Sequence, residues 1–213
     1  MKKHSLAKLD QRHLWHPFTQ MRDWLKGEPL VIERGKGAQL WDVRGREYID
    51  ANSSIWTNLH GHNHPKINAA IRGQLSRGAH TSALGLANGP ASLLGRELVR
   101  LANPRAGVTK QQPRLAKVFY SDNGSTAVEV ALKMALGFWT HRGENRSRIV
   151  VMEHSYHGDT IGAMSVGARG VFNAAYAPML FDVGRVPFPG NDPQPTYDAL
   201  EAECAGGAAA FIV

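Results

Sequence analysis

The 213-residue chain has almost no cysteine, Cys204 being the one thiol. A disulfide framework is thereby excluded, and the composition fits a reducing cytoplasm. Long apolar runs are missing too: no stretch approaches the roughly 18 residues that a membrane-spanning helix needs. The opening Met-Lys-Lys-His-Ser-Leu carries charge without an apolar core, so a secretory leader is not expected. The chain shows no internal repeat, no low-complexity tract, and neither the Cys pair nor the HExxH pattern of a zinc site. Basic residues outnumber acidic ones, 25 to 18, for a formal net charge of +7. They are scattered among the acids with no aromatic-studded stripe, which argues against nucleic acid as the partner and suits a small anionic ligand better. What is present, 43% hydrophobic residues, is enough for one sizeable core or parts of two.

Residues 1 to about 29 read as an arm anchored by Trp15, Phe18 and Trp24. Short strands at 30–32, 38–41 and 47–49, with a turn at Arg44-Gly45, predict a small antiparallel meander. Pro65 opens a helix whose Ile67, Ala70, Ile71 and Leu75 share one face. Pro90 opens another, with Ala91, Leu94, Leu98 and Leu101 at helical spacing, and Asn103-Pro104 marks its stop. From Leu115 strands and helices alternate: strand 115–120, helix 126–140, strand 148–152, a short helix near 160, a strand near 180–183, helix 196–204 and strand 208–213. Alternation of this kind predicts the α/β class, a mostly parallel sheet flanked by helices. The expected division is 1–64 for arm and meander and 65–213 for the α/β part. The helix after Thr126 is apolar nearly all round and is expected to be buried. Glu129 and Lys133, four residues apart, are expected to pair. The Pro-rich segment 188–195 reads as a surface loop.

Two clusters carry chemistry. Ser121-Asp-Asn-Gly-Ser-Thr126 stands where a strand runs into a helix, so unpaired N–H groups and the helix dipole can hold an anion such as phosphate. Gly124 permits close approach, while Ser125 and Thr126 offer hydroxyls. A plain helix N-cap is the alternative use of the same residues. The second cluster, His154-Ser-Tyr-His-Gly-Asp159, follows the strand at 148–152 and so lies at another strand carboxyl end, where open α/β sheets bind ligands. Tyr156 beside a phosphate cradle suits a flat phosphorylated ring. Otherwise Tyr156 is a half-buried loop aromatic and Asp159 caps the following helix. His60, His62 and His64 alternate, but Gly61, Asn63 and Pro65 between them mark a loop, and no metal site is expected.

The stretches SDNGSTAVEVALKMAL (121–136) and HSYHGDTIGAMSVG (154–167) resemble the class III, fold-type I pyridoxal-phosphate aminotransferases. RHLWHPFTQM (12–21), NSSIWTNLHGHNHPKI (52–67) and AHTSALGLANGPA (79–91) narrow the resemblance to the branch that makes 7,8-diaminononanoate from 8-amino-7-oxononanoate in biotin synthesis. It runs from about Asp10 to Val213. The resemblance implies pyridoxal 5'-phosphate as cofactor, with Gly124 and Ser125 at its phosphate, Tyr156 stacked near its ring and touching substrate, and Asp159 orienting neighbours in the same loop. It implies a substrate wall of Phe18, Ile55 and Trp56 with Tyr156, and a homodimer whose 80–90 segment reaches toward the neighbouring pocket. Many relatives carry tyrosine in place of Phe18 and tryptophan in place of Ile55. This pattern also resembles members that use lysine, so the implied amino donor is S-adenosylmethionine or lysine. Members are roughly twice this length, and their Schiff-base lysine falls beyond Val213. The chain is therefore expected to be an amino-terminal portion, inactive alone, with no catalytic residue of its own. Three other readings compete: a class III aminotransferase for ω-amino acids or polyamines, a non-catalytic phosphate- or nucleotide-binding α/β module, and a dimerisation fragment with no ligand.

Overall fold

A computed structural model describes residues 4–103 and 115–213. Two compact units divide between Ser92 and Leu93. The first opens with helices α1 (His4–His13) and α2 (Met21–Trp24). Asp10 joins them, because its carboxylate accepts from Trp24 Nε1 at 3.0 Å and bonds His16 Nε2 at 2.9 Å. The meander follows as β1 (Ile32–Lys36), β2 (Gln39–Asp42) and β3 (Glu47–Ile49), antiparallel in that order. Its β2–β3 turn is built on buried Asp42, which accepts from the Arg44 and Arg46 amides, each at 2.9 Å, and from Arg46 Nε at 2.7 Å. Gly45 sits there at φ 81°, a conformation that costs glycine little.

Next comes α3 (Ser53–Trp56), a single turn in which all four residues are left-handed, with φ of 53, 51, 61 and 65°. Non-glycine residues rarely adopt that region. Asp50 holds the turn: its carboxylate accepts from Ser54 N at 2.9 Å and Ser54 Oγ at 2.8 Å, and meets His62 Nε2 at 2.8 Å. The loop histidine His62 is itself fixed by a β-bridge to Gly37. Helix α4 (Pro65–Leu75) starts with its proline in the first turn, as expected. Helix α5 (Gly89–Ala102) ends one residue before Asn103; Pro104 lies outside the described residues.

In the second unit α6 (Gly124–His141) leads to β4 (Arg148–Met152), α7 (Ile161–Val166), a 3-10 turn at Ala174–Met179, β5 (Gly184–Val186), α8 (Gln194–Cys204) and β6 (Ala208–Ile212). The sheet order is β5-β4-β6, all parallel. The central strand, β4, places Ile149, Val150 and Val151 in the core, and Leu132 of α6 and Val166 of α7 pack on Ile149 and Val151. Such a continuous apolar strand is what a parallel sheet covered on both faces requires.

Four expectations are corrected. Residues 115–120 form no strand among the described residues, because none of the described strands pairs with them in a sheet. The strand expected near 180–183 is β5, four residues later, and 180–183 is irregular approach to it. Helix α6 buries one face only: Val128 and Leu132 face the core, whereas Met134 and Phe138 are 52 and 53% exposed. Its apolar circumference exceeds what β4, β6 and α7 cover. Glu129 does not pair with Lys133 among the described ion pairs; its carboxylate accepts a hydrogen bond from the Gly162 amide instead.

Candidate functional site

The amino end of α6 supplies the first half of the site. Asn123, in extended conformation, caps the helix by accepting from Thr126 N at 3.0 Å, and the Thr126 hydroxyl answers by accepting from Asn123 N at 3.2 Å. This capping box satisfies the third amide of the helix and leaves those of Gly124 and Ser125 without a partner among the described residues. The cap reading therefore holds for one part of the cluster, and the other part keeps the amides that an anion site would need. Asn123 and Thr126 form the cap, which commits the Thr126 hydroxyl, and Gly124 and Ser125 present free N–H groups. No described atom lies within 4 Å of where a Cβ on Gly124 would stand, so the approach to those amides is open.

The loop after β4 supplies the second half. Ser155 Oγ donates to Met152 O at 2.8 Å, and the Ala168 amide donates to Ser155 O at 2.8 Å, which pins the loop at its start. Ser125 Oγ then accepts from the Asp159 amide at 3.1 Å, and the Tyr156 hydroxyl donates to Asp159 Oδ2 at 2.6 Å. A chain of hydrogen bonds thus runs from the helix end through Asp159 to the phenol. Gly158 makes the contact possible. At φ 128° its backbone passes so close to Ser125 that an added Cβ would overlap Ser125 Oγ and come within 2.8 Å of Ser125 Cβ. The hydrogen bond to Asp159, helped by burial and by the carboxylate's charge, raises the Tyr156 phenol above its ordinary range, so it stays protonated at neutral pH. The tyrosine is nonetheless 74% exposed, leaving its ring free to cover a ligand.

The structure brings together Gly124, Ser125, Tyr156 and Asp159. Asp159 does not cap α7, since its carboxylate is taken by Tyr156 and the α7 amide at Gly162 is bound by Glu129 at 2.7 Å. Phe18, Ile55 and Trp56 belong to the first unit, where they are 79, 63 and 79% exposed. Sequence reasoning passed over two side chains beside these residues. His157 has an Nε2 that is buried without a described partner, and burial pushes its imidazole pKa down, so it is neutral at pH 7. Glu129 was misassigned because spacing of four to a lysine is the stronger local signal. Among the described residues no cluster of three or more His, Cys, Asp or Glu could hold a metal, and no helix is long and apolar enough to cross a membrane. A separate hollow of about 260 Å³ in the first unit is lined by Glu28, Asp42, Arg44 and Arg46, among other residues. Those four pair as Arg44–Glu28 and Arg46–Asp42, which leaves them little charge to offer a ligand.

Open helix amides, a serine hydroxyl with its proton still to give and an exposed aromatic face fit a phosphorylated ring. Comparison with known proteins agrees. Residues 22–212 match the family described as Aminotransferase class-III. An adenosylmethionine-8-amino-7-oxononanoate aminotransferase of Aquifex aeolicus is 44% identical over 201 residues, covering 94% of this chain and 42% of that protein. One from Geobacter sulfurreducens is 45% identical over 186 residues, covering 87% and 39%. The crystal structure of the enzyme of that name from Methanocaldococcus jannaschii superposes with a TM-score of 0.88 at 37% identity, covering 100% of this chain and 47% of that one. The chain spans about two fifths of the length of these curated relatives.

Proposed function

This chain belongs to the class III aminotransferases, and from that premise we propose that the protein carrying it converts 8-amino-7-oxononanoate to 7,8-diaminononanoate with pyridoxal 5'-phosphate. The donor is S-adenosylmethionine or lysine, and the working form a homodimer. The observation that carries the proposal is the hydrogen-bonded chain from Ser125 through Asp159 to Tyr156, which sets a phosphate cradle beside a free aromatic face. The substrate assignment is supported by the names of the relatives above, whose identity extends over both units.

The cofactor, when bound, supplies an aldehyde and an electron sink through which an amino group passes from donor to ketone. The chain's own residues bind and orient. The amides of Gly124 and Ser125 would hold the phosphate at the positive end of α6. Ser125 Oγ accepts from Asp159 and has its own proton free, which it would give to the phosphate, so a single hydroxyl would tie the cradle to the loop. Tyr156, held by its bond to Asp159 and kept neutral, would cover the ring. We assign Ile55, Trp56 and Phe18 to the apolar chain of the keto acid, where each buried methylene contributes about 0.8 kcal/mol. Leu84 and Leu86, 93 and 63% exposed within one chain, support assigning the 80–90 segment to the dimer contact.

The test is direct. The protein encoded by the whole reading frame containing this chain should bind pyridoxal phosphate as a yellow, borohydride-reducible adduct. It should consume 8-amino-7-oxononanoate with one of the two donors. A colourless protein, or turnover only with ω-amino acids, overturns the assignment.

A further inference from the structure

We propose that Glu129 is a positioning residue that holds the Tyr156 loop against the cradle helix, a role that deepens the reading above and rests on it. Glu129 stands one turn after Ser125 on α6, so both side chains leave the same face. Each accepts a hydrogen bond from the backbone on one side of the same short segment. Ser125 Oγ takes the Asp159 amide at 3.1 Å and Glu129 Oε1 takes the Gly162 amide at 2.7 Å. The two bonds are three residues apart in the segment and four apart in the helix, which fixes rotation as well as distance.

Two independent features show that this clasp is built in. Helix α7 lacks a cap of its own: Thr160 stands at the N-cap position yet makes no capping bond, and its buried hydroxyl has no described partner. Glu129 fills that vacancy from another element, with a full negative charge at the amino end of a helix. Glycine occupies both contact points. A Cβ on Gly162 would come within 2.7 Å of the Glu129 carboxyl carbon, just as one on Gly158 would overlap Ser125. The far side of the segment is anchored, because Gly162 through Val166 are buried and Val166 belongs to the core with Leu132, Ile149 and Val151. Tyr156 is thus carried by a loop tied to α6 at two points downstream of its ring.

The test uses the whole protein, without cofactor for exchange and with it for binding. In Glu129→Ala, amide hydrogen exchange across 156–163 should quicken about tenfold, as expected for one lost charge-assisted bond, while exchange elsewhere in the second unit stays as in the parent. The dissociation constant for pyridoxal phosphate should rise by a similar factor, and the visible dichroism of the bound cofactor, which reports the asymmetric surroundings of its ring, should fall. Glu129→Gln keeps the acceptor oxygen and should restore most of both. Should Glu129→Ala fail to fold, Glu129→Asp, one methylene too short, takes its place against Glu129→Gln. Unchanged exchange over 156–163, acceleration spread evenly over the unit, or a Gln variant no better than Ala overturns the proposal. A parent protein that binds no cofactor, yet shows the local exchange pattern, refutes the functional reading and leaves the clasp standing.

Discussion

Replacing Gly158 by alanine perturbs the site without removing any charged or hydrogen-bonding group. Two effects add. At φ 128° an L-residue is held in a region almost reserved for glycine, at a cost of about 1–3 kcal/mol. The new methyl also overlaps the Ser125 side chain, and relieving that overlap separates Asp159 N from Ser125 Oγ, a bond whose net worth is about 0.5–1.5 kcal/mol. The sum, about 1.5–4.5 kcal/mol, corresponds to a fall in melting temperature of roughly 3–18 °C at the ~2–4 °C per kcal/mol of a chain of about 150–250 residues. Because the lost bond joins the two halves of the proposed site, cofactor affinity should fall alongside stability. Differential scanning calorimetry and a fluorescence titration with pyridoxal phosphate measure the two. A variant that melts as the parent does and binds cofactor equally well would show that the loop does not approach the helix as closely as described.

Other perturbations separate the parts of the account. Ser125→Ala removes a donor to a charged oxygen and should weaken binding of pyridoxal phosphate and of inorganic phosphate alike by about 10- to 100-fold, read by competition titration. Trp56→Ala should raise KM for the keto acid on the order of tenfold, the value of two buried methylenes, with kcat much less affected; equal KM values would remove that residue from the substrate wall. Burial pushes the Asp42 carboxyl up, but hydrogen bonds from the Arg46 side chain, the Arg46 and Arg44 amides and Tyr48 outweigh it and bring its pKa to about 2. A carboxyl lowered on folding contributes stability above its unfolded pKa of about 3.9 and loses it as pH falls through the folded value. Asp42→Asn should therefore flatten the acid limb of the stability curve between about pH 4 and pH 2, as followed by tryptophan fluorescence.

Much of the fold was legible because it follows from local rules. Pro65 and Pro90 placed two helix starts, the run Arg148–Met152 placed the central strand, and strand–helix alternation gave the parallel sheet. The open start of α6 was legible as well, since a helix opening on Gly and Ser leaves its first amides unpaired. What failed depends on contacts distant in sequence. Residues 115–120 read as a strand because pattern carries no information about a partner. The left-handed turn at Ser53–Trp56 has no signature in its own residues; it is fixed by Asp50 and, through it, by His62. Glu129 satisfied a helical pairing rule with Lys133, yet an uncapped amide 33 residues away is the stronger claim on a carboxylate.

A crystal structure of the protein with pyridoxal 5'-phosphate bound tests the central claim most directly. Phosphate oxygens about 3 Å from the amides of Gly124 and Ser125 and from Ser125 Oγ, with the Tyr156 ring against the pyridine face, are the predicted result. A phosphate seated elsewhere, or a cofactor ring with Tyr156 turned away from it, would contradict the account.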